Sequence, residues 1–132
     1  MDIRKTARDG LAAAKKKKAS YSDIRYEIIR DRNLSYTTGT PDPIEESLSA
    51  GWAVRVLVDG TWGFASSDAI DSGIGNLVEQ AVVVARASAK VMKSPVKLSP
   101  FKVESGEHRS IFKTDPFAVP VKEVGQFLAD LD

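Results

Sequence analysis

From Trp52 to Val58 the chain alternates with period two. Trp52, Val54, Val56 and Val58 fall on one side of a strand, and Ala53, Arg55 and Leu57 on the other. Asp59-Gly60 follows, a pair suited to the two left-handed positions of a tight hairpin turn. Trp62-Gly63-Phe64 then opens a return strand, so the pattern predicts a hairpin over 52–58 and 61–66. An earlier alternation sets Ile24, Tyr26 and Ile28 against Asp23, Arg25 and Glu27. It predicts a strand over 22–30 with one wet face. Asp31-Arg32-Asn33 reads as a turn and 33–38 as the second arm of another hairpin. Pro41 and Pro43 end that arm, because proline lacks a ladder donor, and 44–50 reads as a polar connector.

Elsewhere the period changes to that of a helix. Ile3, Ala7, Leu11 and Ala14 form one stripe over about 3–18, and Ser20-Tyr21-Ser22 ends it. Ile70, Ile74, Leu77, Ala81 and Val84 repeat with 4-3-4-3 spacing, which predicts a helix over 70–92. Asp71 or Ser72 would cap it, and Lys93-Ser94-Pro95 would stop it. Ala81, Ala85 and Ser88 give it a small face on which to lie flat across a sheet. Val96-Lys97-Leu98 reads as a short strand and 99–116 as mostly loop. Val121, Val124, Leu128 and Leu131 space as the start of a helix opened by Pro120. The expected fold is α+β: an antiparallel sheet from two hairpins, covered by two main helices, with a partial C-terminal helix.

Composition fits a folded domain: 132 residues, 42% apolar and 28% charged. No apolar run has the length of a membrane span, and no signal-peptide core follows Met1, so cytoplasmic residence is expected. Cysteine is absent. That removes disulfides and thiolate metal sites. Net charge is +1, yet residues 1–20 hold seven basic and two acidic residues. Lys15–Lys18 would complement the end of the first helix. No aromatics interleave them for base stacking, which argues against nucleic acid.

Hydrolytic metal chemistry needs about three His, Asp or Glu ligands and a base. The chain has one histidine, His108, in an expected loop. No second histidine exists to complete a helical pair, and a serine–histidine–acid triad would also have to use His108. Gly73-Ile74-Gly75-Asn76 lacks the lysine of a P-loop and the third glycine of a dinucleotide fingerprint. The expectation is therefore no catalytic residue, no metal site and no cofactor in this chain. Core packing is the simplest account of Phe64 and Tyr26. Trp52, Trp62 and Arg55 are the candidates for binding substrate or forming an interface. A strand arginine among apolar neighbours needs a partner: Glu27, Asp23 or a bound peptide.

Tyr-x-Asp-Ile-Arg-Tyr-Glu at 21–27, Leu-x-Tyr at 34–36 and Arg-Val-Leu-x-Asp-Gly-x-Trp-Gly-Phe-Ala-Ser at 55–66 resemble the N-terminal domain of the TldD/PmbA family, the modulator of DNA gyrase proteins. Ala-x-x-x-Ala-Arg at 81–86 and Asp-Pro-Phe at 115–117 extend the likeness. The family comprises zinc metallopeptidases about three times this length, acting in peptide maturation and proteolysis. The resemblance implies an α/β domain, spanning 1–132 here, that precedes a catalytic domain with a His-Glu-x-x-x-His zinc motif. Paired subunits would enclose a chamber for small or unfolded peptides.

The zinc motif is not in this sequence. The chain is therefore expected to be a non-catalytic domain, cut short at its C-terminal end, that contributes to subunit assembly and peptide access. Truncation, proteolysis and a natural short gene would each give such a chain. Expected partners are copies of itself through sheet-edge or C-terminal surfaces, or a TldD/PmbA-type subunit, with no membrane. The alternative is a stand-alone binding module whose basic first helix contacts nucleic acid or an acidic partner.

Overall fold

A computed structural model describes residues 2–38, 40–68 and 73–131. The elements run α1 (Ile3–Lys16), β1 (Tyr21–Asn33), β2 (Tyr36–Thr37), β3 (Thr40–Pro41), β4 (Glu45–Val58), β5 (Thr61–Ser67), α2 (Ile74–Ala89) and α3 (Val121–Ala129). The class is α+β, as expected. The chain divides into two compact units, 1–28 with 49–100 and 29–48 with 101–132.

The first unit is built on the strand order β1-β4-β5. β4 and β5 pair antiparallel about the Asp59-Gly60 turn, with Val58 opposite Thr61 and Trp52 opposite Ser67. Both turn residues have positive φ, 50° and 77°, which suits the turn to the twist of the strands. Ser20 bonds Leu57, Asp23 meets Arg55 and Tyr26 packs on Trp52, so β1 runs antiparallel to β4.

The core lies between this sheet and α2. Val54, Val56 and Val58 are fully buried against Val78 and Val82. Each contributes roughly 1.5–3 kcal/mol relative to exposure. Gly63 lets α2 approach, and the Thr61 hydroxyl donates to the Ala85 carbonyl at 2.5 Å. Asp2 caps α1 by accepting from the Lys5 amide. At its other end Lys18 takes φ 65° and the Ala19 amide donates to the Ala14 carbonyl, the Schellman pattern. Lys15 and Lys16 occupy the last turn, and Lys17 pairs with Glu79 of α2.

The helix stripes differ in phase from those read in the sequence. In α1 the buried positions are Gly10 and Ala14, while Leu11 is exposed. A Cβ on Gly10 would lie 2.3 Å from Ile24, so close approach rather than bulk sets that face. In α2 the buried set is Leu77, Val78, Ala81, Val82 and Ala85, and Val84 is exposed. Ile70 and the caps Asp71 and Ser72 lie outside the described residues; Gly73 caps the described helix. Residues 96–98 form no strand: the Val96 amide donates instead to the Gly60 carbonyl.

In the second unit β2 and β3 pair as a two-stranded ribbon, Tyr36 opposite Pro41 and Thr37 opposite Thr40. Asp31-Arg32-Asn33, read as a turn, instead ends strand β1, residues 34–38 are not an arm of the main sheet, and Glu45–Ala50, read as a connector, belongs to strand β4. Short polar side chains hide a strand whose ladder, not its burial, defines it. Arg32 and Arg30 both pair with Glu46, and both guanidinium groups lie over the Phe117 ring. α3 begins after Pro120, with Val121, Val124 and Leu128 half-buried and Phe127 and Leu131 exposed.

Candidate functional site

Alternation along β4 and β5 gives the sheet two different faces. One carries Trp52, Val54, Val56 and Val58 with Thr61, Gly63 and Ala65, and meets α2. The other carries Arg55 and Leu57 with their cross-strand partners Phe64 and Trp62. On that second face Leu57 is buried, Arg55 and Trp62 are half-buried and Phe64 is exposed.

Arg55 organises it. Its Nε and Nη2 donate to Asp23 Oδ2 at 2.8 and 2.7 Å. Arg25 stands 3.5 Å from the other oxygen of Asp23. The guanidinium carbon lies 4.9 Å from the Trp62 ring centre and 6.0 Å from that of Tyr21. Tyr21 and Trp62 meet edge to face at 5.6 Å. The Asp23 hydrogen bond and then its charge, with a smaller part from Tyr21, raise the Arg55 pKa above its ordinary value. The result is a cation fixed by Asp23 beside the Trp62 and Tyr21 rings. Phe64 extends the surface and is exposed. Arginine, tryptophan and tyrosine clustered this way are the residue types that anchor protein interfaces.

Of the three sequence candidates, the structure brings Arg55 and Trp62 together and sets Trp52 apart. Trp52 is 5% exposed and packs on Tyr26 with ring centres 4.7 Å apart. It lies on the α2 side. Phe64, read as core, is on the surface because it is in register with Arg55 rather than with a valine. Asp23, one of the two carboxylates considered for Arg55, is the partner. Tyr21 was legible only as a helix breaker; its place beside Trp62 depends on strand order.

Metal chemistry finds no such assembly. Among the described residues no group of three or more His, Cys, Asp or Glu is placed to hold an ion. His108 is exposed in an irregular segment. The described residues thus present no ligand set for a catalytic zinc, and no hydrolytic step is assigned to them. No helix among the described residues is long and apolar enough to cross a membrane.

Comparison with known proteins bears directly on the hairpin that builds this face. Residues 22–85 match the family model described as PmbA/TldA metallopeptidase domain 1. They resemble the first domain of the TldD/PmbA metallopeptidases. A metalloprotease of Methanocaldococcus jannaschii is 26% identical over 111 residues, covering 83% of this chain and 25% of that protein. The chain thus spans about a quarter of the length of the curated relative it matches. The TldD/PmbA match takes in most of β1, all of β4 and β5, and α2 as far as Ala85. Arg55, Asp23, Trp62 and Phe64 all fall inside it.

Proposed function

We propose that this chain serves as the non-catalytic N-terminal domain of a TldD/PmbA-type zinc metallopeptidase, contributing to subunit assembly and to peptide access. The observation that carries the reading is the pairing of a first-domain match with a sheet face on which Arg55 and Trp62 cluster beside an exposed Phe64. A peptidase-family domain with no metal-ligand cluster among its described residues contributes, in this reading, by contact rather than by chemistry. Its partners are copies of the chain or a TldD/PmbA-type subunit, and the catalytic zinc belongs to a separate domain. Peptide maturation in the cytoplasm is the setting the family suggests.

The test measures zinc by elemental analysis and peptide cleavage, first with the chain alone and then with a TldD/PmbA-type catalytic subunit added. The expected result is no activity alone, complex formation in the mixture, and weaker association when Trp62→Ala and Phe64→Ala are introduced. Stoichiometric zinc with chelator-sensitive cleavage by the chain alone would overturn the proposal.

A further inference from the structure

In the second unit, a cleft of about 260 Å³ opens between the β2–β3 ribbon and α3. Its apolar lining comes from Leu34, Tyr36, Pro41, Ile44 and Val121. Gly125 lies on the α3 side. A glycine inside a nine-residue helix is costly, roughly 1 kcal/mol relative to alanine. Nothing in the packing requires it: a Cβ built there would meet only the Tyr36 hydroxyl, at an ordinary 3.7 Å. Any larger side chain at 125 would project into the cleft. The glycine leaves the space open.

Two charged groups border the same space. Asp42 Oδ2 accepts from the Ser35 hydroxyl at 2.8 Å and the Thr37 hydroxyl at 3.0 Å. Those bonds fix the carboxylate, while its Oδ1 engages no other group among the described residues. Lys122 also lines the cleft and forms no ion pair among the described residues. An immobilised carboxylate, an unengaged ammonium and an apolar slot are complementary to one kind of small molecule. That molecule carries an amine, a carboxylate and an apolar side chain. The volume lies below the roughly 300–1,000 Å³ of clefts for drug-sized ligands.

We infer that this cleft binds a free apolar dipeptide, its α-amino group at Asp42, its carboxylate toward Lys122 and a side chain in the slot over Gly125. The inference concerns the second unit alone and stands apart from the assembly role proposed for the sheet face.

The probe is leucyl-leucine, titrated into the ¹⁵N-labelled chain and followed by amide shifts. Perturbations are expected to concentrate at 34–44 and 121–126. Capping both ends of the dipeptide, Asp42→Asn and Lys122→Gln should each weaken binding by about tenfold, the usual scale for losing a charge-assisted hydrogen bond. Gly125→Leu should abolish binding while the fold, read from the remaining amide spectrum and the thermal midpoint, is kept. Because Asp42 also holds Ser35 and Thr37, Lys122→Gln and Gly125→Leu carry the decision. Absence of saturable shifts in the cleft, wild-type binding by Gly125→Leu, or equal affinity for the capped dipeptide would overturn the assignment. None of those results bears on zinc or on subunit pairing.

Discussion

Gly63 lies so close to Ala81 that a Cβ built on it would stand 1.9 Å from the Ala81 carbonyl oxygen and 2.8 Å from the Ala85 amide nitrogen. Both are helix backbone, which cannot turn aside as a side chain can. Gly63→Ala must lift α2 from β5 and open gaps beside Val56 and Val82. The expected cost is about 1–3 kcal/mol, the range for overpacked cores. Urea unfolding of the two proteins checks it, and an unchanged midpoint would contradict this packing.

Arg55 and Asp23 should be energetically coupled. The pair is part-exposed and its two donors converge on one oxygen. A double-mutant cycle with Arg55→Ala and Asp23→Ala should return about 0.5–1 kcal/mol, toward the upper end for surface pairs. Arg55→Lys should recover only part of the loss, since lysine does not keep the guanidinium beside the Trp62 ring. Tryptophan fluorescence of the two variants reports whether that contact is lost.

Stability should fall in acid partly through Glu46. Its hydrogen bond from Arg32, then the charges of Arg32 and Arg30, hold its carboxyl below the usual 4.5. A depressed folded-state pKa gives stabilisation that is present above the unfolded value and is lost as pH falls through the folded one. The contribution should therefore be intact above about pH 4.5 and disappear on further acidification. Glu46→Gln should flatten this part of the profile. Titration of the Glu46 side-chain carbon by NMR locates the midpoint, and Arg32→Leu should move it upward.

Association through the sheet face should depend on Phe64 more than folding does. Phe64 is 56% exposed, so Phe64→Ser should leave the unfolding midpoint within about 0.5 kcal/mol of the wild type. Sedimentation across a concentration series, with and without a TldD/PmbA-type subunit, should show weaker association for the variant. Identical sedimentation of the two proteins under all conditions would remove this face from the assembly.

The turn and paired arms of the hairpin over 52–66 were legible in the sequence because alternation, turn chemistry and register all act within about fifteen residues, although Phe64 was placed on the wrong face. The seam of α2 was legible at Ile74, Leu77 and Ala81, which meet the core, but not at Val84. Val84 continues the apolar spacing as well as Val82 does, and only contact with Gly63 selects between them. The same ambiguity moved the α1 stripe from Leu11 to Gly10. Glu45–Ala50 was missed because a strand that buries little has no hydrophobic alternation to read. The face around Arg55 was partly visible: the arginine, Trp62 and the candidate partner Asp23 stand out, whereas Tyr21 reaches them through strand order. The cleft gave no signal, since Tyr36 and Gly125 come from distant parts of the chain and Leu-x-Tyr at 34–36 marked only the family likeness.

The clasp between the Val96 amide and the Gly60 carbonyl has a kinetic consequence. It closes a loop that holds β5 and α2, which directly follow β4 in the chain, so that the contacts of all three form between near neighbours in sequence. Such contacts require the least loop closure and form early. Residues 52–96 should therefore supply the folding nucleus, with α1 and β1 docking onto it afterwards. In that order Gly63→Ala acts mainly by slowing refolding, whereas a lesion at Gly10 acts mainly by hastening unfolding.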